Sequence, residues 1–439
     1  MSSSSTTAPI RTVAPERARF GTASTGAHTA PDFQRVEHGA LGARRRARLL
    51  PDRAALYLQA SIVVSFLAAS SAPTPLYAAY QAAWHFSPIT TTVVFGIYAV
   101  AVLAALLTVG SLSDHVGRRP VLIASIGLQA ASMLVFATAD GVPALLAARI
   151  VQGVATGAAV GAVGAGLLDL DRAKGTIANS VAPMTGTATG ALLSGALVQY
   201  LPAPRQLVYF VLLGLFAVQA LGVYLMRETS AREPGALASL RPHLGVPAAA
   251  RGPLLKAMPV LVAVWALGGL YASVGPSVVS QITGSRSPVL GGLALFVLAG
   301  SASVTVFLLR EAQPRAVMLY GCAMLIAGVG VTLVGIDAKS TAAFFVGAVI
   351  AGSGFGGGFQ GAIRMLVPLA RPHERSGLLS TVYVISYLAL GLPAVAGGVL
   401  AVHGGLLPAA REYSAAVIVL AALALAAVLR RPSTRSERA

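Results

Sequence analysis

From residue 54 onward the chain is a series of apolar runs separated by short polar connectors. The runs fall at 54–80, 89–112, 120–139, 142–168, 176–200, 206–226, 254–281, 288–309, 316–335, 341–366, 376–402 and 413–429. Each is about 20 residues, the length of a helix that crosses a bilayer core. Backbone groups in lipid have no water to bond, so the spans are predicted to be helices. Strands of a membrane barrel would be shorter and would alternate polar with apolar residues. The longest interior connector, 227–253, is rich in Pro, Gly, Arg and Ala and divides the twelve spans into six and six. Two matched halves are the trace of a transporter built from repeats. The predicted fold class is therefore an all-α membrane protein, twelve transmembrane helices in two pseudo-symmetric six-helix bundles at 54–226 and 254–430.

Residues 1–53 have no helical or strand period and hold nine Arg against four acids, a balance of +5. Such a segment cannot bury enough apolar surface to order itself, so it reads as a disordered basic tail. No apolar core follows its first basic residues, which excludes a signal peptide. A second short tail is expected at 431–439.

Composition agrees with a membrane protein. Of 439 residues, 56% are hydrophobic and 11% charged, against about 25% charged in soluble domains. Lys and Arg number 32 and Asp and Glu 15, a net charge of +17. Basic excess can signal nucleic acid, but that needs one exposed charged surface. Here the charges sort by connector instead. With the N-terminus inside, inner connectors carry fourteen Arg and Lys, and outer ones only Arg205, Arg286, Lys339 and Arg411. That asymmetry predicts a multi-pass protein of the cytoplasmic membrane with both termini cytoplasmic. The partner of the surplus charge is the lipid bilayer, not nucleic acid. The single cysteine, Cys322, lies in an apolar run and excludes an internal disulfide. The seven histidines are scattered through tails and connectors. No HExxH or phosphate-loop pattern occurs. No metal, cofactor or enzymatic role is expected, and energy must come from gradients.

The connector between spans two and three reads Gly110-Ser111-Leu112-Ser113-Asp114-His115-Val116-Gly117-Arg118-Arg119. It resembles the signature motif of the major facilitator superfamily, Gly-x-Leu-x-Asp-x-x-Gly-Arg-Arg/Lys, at every defining position. The resemblance covers residues 54–430. It implies a gating role for Gly110, Asp114, Gly117, Arg118 and Arg119. The matching Asp docks on the start of helix 11, here near Arg375-Ser376-Gly377, and latches the inner gate. A carboxylate is favoured at a helix N-terminus.

The fourth span carries Arg149-x-x-Gln152-Gly153 with Gly157, similar to the family's helix-4 motif. The tenth span repeats the glycine pair as Gly352 and Gly356, without the Arg and Gln. Arg149 is the only Arg or Lys clearly inside a span, and burying it mid-membrane costs about 2.5–3.5 kcal/mol. The resemblance implies substrate binding or proton coupling for Arg149, Gln152 and Gly153. The other reading is an Arg that bonds helix-1 or helix-5 carbonyls and braces packing. The fifth span has Gly186-x-x-x-Gly190-Ala191-Leu192-Leu193-Ser194-Gly195, which partly resembles the antiporter signature, with Ala191 for a proline and Ser194 for a glycine. No Asp or Glu falls within any of the twelve spans.

Polar content separates cavity helices from lipid-facing ones, and the resemblance implies that helices 3, 6, 9 and 12 lie outside. Ser376, Ser380, Tyr383 and Tyr387 form one stripe. With Tyr77, Asn179, Trp265 and Tyr271 they are candidate linings of an amphipathic pocket near the midplane. The expected function is a secondary active transporter of a small organic molecule, working by alternating access. The resemblance points to the drug and metabolite:proton antiporter branch and to efflux in exchange for protons, by a monomer. The alternative is an uptake permease or facilitator for a small organic anion or metabolite, using Arg149.

Overall fold

The computed structural model describes residues 50–430. Apart from residues 50–53, the tails expected at 1–53 and 431–439 lie outside the described residues. Twelve helices are long and apolar enough to cross a membrane, and no strand occurs among the described residues. They are α1 (Asp52–Ser71, resuming at Tyr77–Trp84), α2 (Pro88–Val109), α3 (Arg118–Ala137), α4 (Val142–Leu170), α5 (Arg172–Tyr200) and α6 (Leu207–Leu225). The second six are α7 (Ala248–Ser273, resuming at Gly275–Thr283), α8 (Pro288–Leu308), α9 (Pro314–Asp337), α10 (Thr341–Leu366), α11 (Arg375–Gly404) and α12 (Leu406–Leu429).

Most ends fall within a few residues of the hydropathy limits. Two helices start earlier. α7 begins at Ala248, where Pro247 and three alanines favour a first turn. α12 begins at Leu406, directly after Gly405 at φ +90°, with Pro408 in its opening turn. Glu412 therefore lies inside α12, not in a connector. It is exposed, beside Arg411, which pairs with Asp337 at 2.6 Å. The helices also take in Asp52 of α1, Asp169 of α4 and Asp337 of α9, so the statement that no acid falls within a span is corrected at four places, all near helix ends.

Two hydrophobic cores form. One gathers buried residues from Ala55 to Met226, the other from Ala250 to Val428, with Ala191 of α5 joining the second. The main contacts across the halves are α5 with α8 and α2 with α11. Apolar helices gain nothing from hiding Leu from lipid, so association depends on close approach at small residues. A Cβ on Gly153 of α4 would sit 2.5 Å from Ala101 of α2, and one on Gly157 2.5 Å from the Val102 carbonyl. α10 repeats the arrangement against α8, where a Cβ on Gly356 would sit 2.5 Å from the Ala302 carbonyl. The glycine echo between spans four and ten thus marks equivalent helix seams in the two halves.

The 110–119 loop and the central connector define one face of the molecule, called the motif face here. The opposite end is the far face. On the far face Ser287 donates to Gln199 Oε1 at 2.5 Å, and a Cβ on Gly195 would sit 2.6 Å from the Pro288 carbonyl. Nearer mid-depth, Thr185 and Ser303 share a 2.8 Å hydrogen bond.

Candidate functional site

The motif loop folds as a short turn of helix, Leu112–Val116, stopped by Gly117 at φ +101°. That conformation favours glycine, and a Cβ there would also meet Glu228 Oε2 at 2.7 Å. Arg118 is buried. It donates to Asp114, to Ser113 Oγ at 2.8 Å and to Asp169 Oδ2 at 3.2 Å. Arg119 donates to the Val223 carbonyl at 3.2 Å and to the Tyr224 carbonyl, so it caps the C-terminal end of α6. Asp114 is 55% exposed and bonded to Arg118, and no hydrogen bond joins it to Arg375–Gly377 among the described residues. The docking implied for it is not made in this structure. The central connector occupies that place, with Gly245 N donating to the Gly377 carbonyl at 3.4 Å.

Two carboxylates of this network, Asp169 and Glu228, escaped the sequence reading. Glu228 accepts from Arg118 N at 2.8 Å and Arg119 N at 3.1 Å, the first amides of α3. Those amides have no intrahelical partner, and a carboxylate there is favoured by the helix dipole as well. The available signal was an acid at the head of an Arg-rich connector. Glu228→Ala should cost about 1–2 kcal/mol. A lowered melting temperature in detergent checks this.

Arg149 has its explanation in α1. Pro73 and Pro75 interrupt that helix, leaving a single turn at Thr74–Leu76 before it resumes at Tyr77. Proline has no N–H, so carbonyls one turn earlier lose their donors. Ala69 loses the donor at position 73, and Gln152 Nε2 replaces it at 3.0 Å. The Ser70 carbonyl accepts from Arg149 Nη1 at 2.8 Å. Leu76 N turns to the Pro73 carbonyl, and Ser194 Oγ donates instead to the freed Ala72 carbonyl at 2.6 Å. Arg149 also donates to the Tyr77 hydroxyl, from Nε at 3.1 Å and Nη2 at 2.5 Å, and to Gln152 Oε1 at 2.7 Å.

The guanidinium is fully enclosed, and no acid pairs with it among the described residues. The rings of Tyr77, Tyr98 and Phe136 surround it, with centroids 5.8, 5.2 and 5.7 Å away. Faces of aromatic rings attract a desolvated cation. Its donors are directed at α1 and at Gln152, the contacts that the bracing reading expects. Gly153 serves the same seam by letting α4 touch α2. α7 is interrupted at the corresponding place, at Val274–Gly275–Pro276, but α10 offers Ala348 and Ala351 where α4 has Arg149 and Gln152.

The candidate pocket residues separate. Trp265, Tyr383 and Tyr387 come together, half-buried, with ring centroids 5.1 Å apart for Trp265–Tyr387 and 6.4 Å for Tyr383–Tyr387. Phe359 of α10 completes the cluster at 5.6 Å from Trp265. Trp265 Nε1, Ser386 Oγ and Gln360 Oε1 have no hydrogen-bond partner. Tyr77 instead accepts from Arg149 with its hydroxyl. Tyr271 is buried in the second core, stacked on Phe344 and 3.4 Å from Thr332 Oγ1. Asn179 donates to the Gly164 carbonyl at 2.9 Å and ties α5 to α4.

Among the described residues no group of three or more His, Cys, Asp or Glu is placed to hold a metal. The sequence profile of the Major Facilitator Superfamily matches residues 60–321, more than half of the chain. The chain belongs to this family. It is thus a polytopic secondary transporter of small molecules and not an enzyme. No curated protein matches it by sequence. Among solved structures, the human organic anion transporter MFSD10 (TETRAN) is similar at 17% identity and TM-score 0.62, covering 86% of this chain and all of that one. A bacterial homolog of the human lysosomal transporter Spinster, inward-facing and unoccupied, matches at 14% identity and TM-score 0.68, over 86% of this chain and 97% of that one. The nucleoside transporter NupG matches at 12% identity and TM-score 0.60, over 86% of this chain and 100% of that one. At such identities the likeness is one of fold.

Proposed function

We propose that this superfamily member exports a small amphipathic organic molecule across the cytoplasmic membrane in exchange for protons. It works as a monomer, by rocking its halves, 54–226 and 254–430, about a site between them. The carrying observation is the half-buried cluster of Trp265, Tyr383, Tyr387 and Phe359, in which the Trp265 indole N–H has no partner. Apolar rings with a free hydrogen-bond donor among them suit a substrate with a flat apolar body and sparse polar groups.

The motif face is assigned to the cytoplasm because it carries fourteen basic connector residues against four opposite. The halves bond each other on the far face while Asp114 is off α11, which supports a state open toward the motif face. Asp114, Asp169 and Glu228 are the carboxylates around Arg118 that would carry a proton. The second reading, uptake of a small organic anion, depends on Arg149 meeting the substrate. Its donors are already directed at Ser70, Tyr77 and Gln152 behind closed walls, which favours the brace over an anion site.

Purified protein in proteoliposomes, given a mixed panel of amphipathic compounds, tests the exchange. Accumulation of at least one compound should require an imposed proton gradient. Equal movement with and without the gradient would leave a facilitator.

A further inference from the structure

A cavity of about 290 Å³ opens within the N-terminal half, away from α7–α12. Tyr80 and Trp84 of α1 and Phe136 of α3 form its walls, and Asp140, Arg205 and Gln206, from the α3–α4 and α5–α6 connectors, form its rim. The aromatic part is a packed network. Tyr80 stacks on Trp84 at 4.8 Å, Phe136 stacks on Tyr209 at 5.0 Å, and the hydroxyls of Tyr80 and Tyr209 share a 3.0 Å hydrogen bond. Asp140 and Arg205 are exposed, and neither makes an ion pair among the described residues. A rim with both signs of charge, held apart over aromatic walls, is complementary to a ligand that carries both charges itself.

We propose that this cavity binds the headgroup of a zwitterionic phospholipid bearing a primary ammonium, from the leaflet on the far face. Arg205 would take the phosphate, where a guanidinium is the better donor. Asp140 would take the ammonium, with Trp84 beside it for a cation–π contact. Two observations favour a lipid over a soluble zwitterion. The cavity lies at helix ends, the depth at which headgroups sit and Trp and Tyr collect. The helices beneath it present bare apolar side chains for acyl chains. Phe210 and Val211 of α6 are exposed one turn from Gln206, and Leu134 of α3 two residues from Phe136. The Phe136 ring that walls the cavity also lies 5.7 Å from the Arg149 guanidinium. A bound headgroup would therefore stiffen the part of α3 that supports the brace.

The chain has two tryptophans, so Trp265→Phe leaves Trp84 as the sole reporter. Detergent-purified Trp265→Phe protein is titrated with dihexanoyl-phosphatidylethanolamine below its micellar range, and Trp84 emission is followed. The expected result is a saturable change, weakened about tenfold or more by Arg205→Gln or by Asp140→Asn, since each removes a charge-assisted bond. Both residues are exposed, and unchanged melting temperatures will show that the variants fold. The choline analogue, which cannot donate to Asp140, should bind more weakly than the ethanolamine lipid. Equal response to both lipids in all three proteins would overturn the proposal. So would free phenylalanine binding as tightly as the lipid.

Discussion

Arg149→Ala is expected to lower the stability of the N-terminal half by several kcal/mol and to abolish transport with it. The substitution removes the largest fully buried side chain among the described residues. It also strips a donor from the Ser70 carbonyl, the Tyr77 hydroxyl and Gln152 Oε1. A buried polar group left dry costs about 1–3 kcal/mol, and a large-to-small cavity adds about 2–5 kcal/mol. Arg149→Lys keeps the charge but loses the planar fork that reaches two acceptors on α1. It should recover part of the stability and little of the transport. Melting temperature and transport measured on the same preparations decide the matter. If Arg149→Ala melts like the unaltered protein yet does not transport, the residue acts on substrate or proton and the brace is wrong.

Asp114→Asn should do the reverse, cutting transport about tenfold or more while stability barely moves. The carboxylate is 55% exposed and pairs with Arg118 across one turn. Arg118 is buried but keeps Asp169 as a partner, and an amide at position 114 can still accept from it, so the loss in folding is expected to be about 1 kcal/mol. In the state closed on the motif face, the same carboxylate would meet the N-terminus of α11, worth up to about 2 kcal/mol when partly buried. Neutralising it tilts the balance between states, not the fold. Unaltered turnover in Asp114→Asn would remove the latch from the account.

The twelve helices were legible because lipid leaves the backbone no other solution, so hydropathy alone sets number and approximate ends. The glycine seam of α4 was legible too, as an i, i+4 pair repeated in the other half. The interruption of α1 was written in the sequence as Pro73-Thr74-Pro75, but an apolar average over the span passes across it. That omission hid the partners of Arg149, Gln152 and Ser194, three residues on two other helices that donate to carbonyls freed at one place. The Ser194 that breaks the antiporter pattern of α5 is one of those donors. The aromatic candidates failed in part for a related reason. Helical spacing shows which residues share a face and is silent on what that face meets, so Tyr271 went to the core and Tyr77 to Arg149. Glu228 was out of reach, since a connector's path across the surface has no periodicity to read.

The two halves are expected to rock between a state closed on the far face and one closed on the motif face. Cys322 is the only cysteine and is buried, so spin labels can be placed with little background. One pair at Tyr200→Cys and Arg286→Cys spans the halves on the far face, and another at Lys174→Cys and Arg371→Cys spans them on the motif face. All four positions are exposed. Double electron–electron resonance in nanodiscs at acid and alkaline pH measures both distances. Two populations are expected for each pair, shifting in opposite directions, so that the far face lengthens as the motif face shortens. A single distance for both pairs, unmoved by pH, would contradict the rocking.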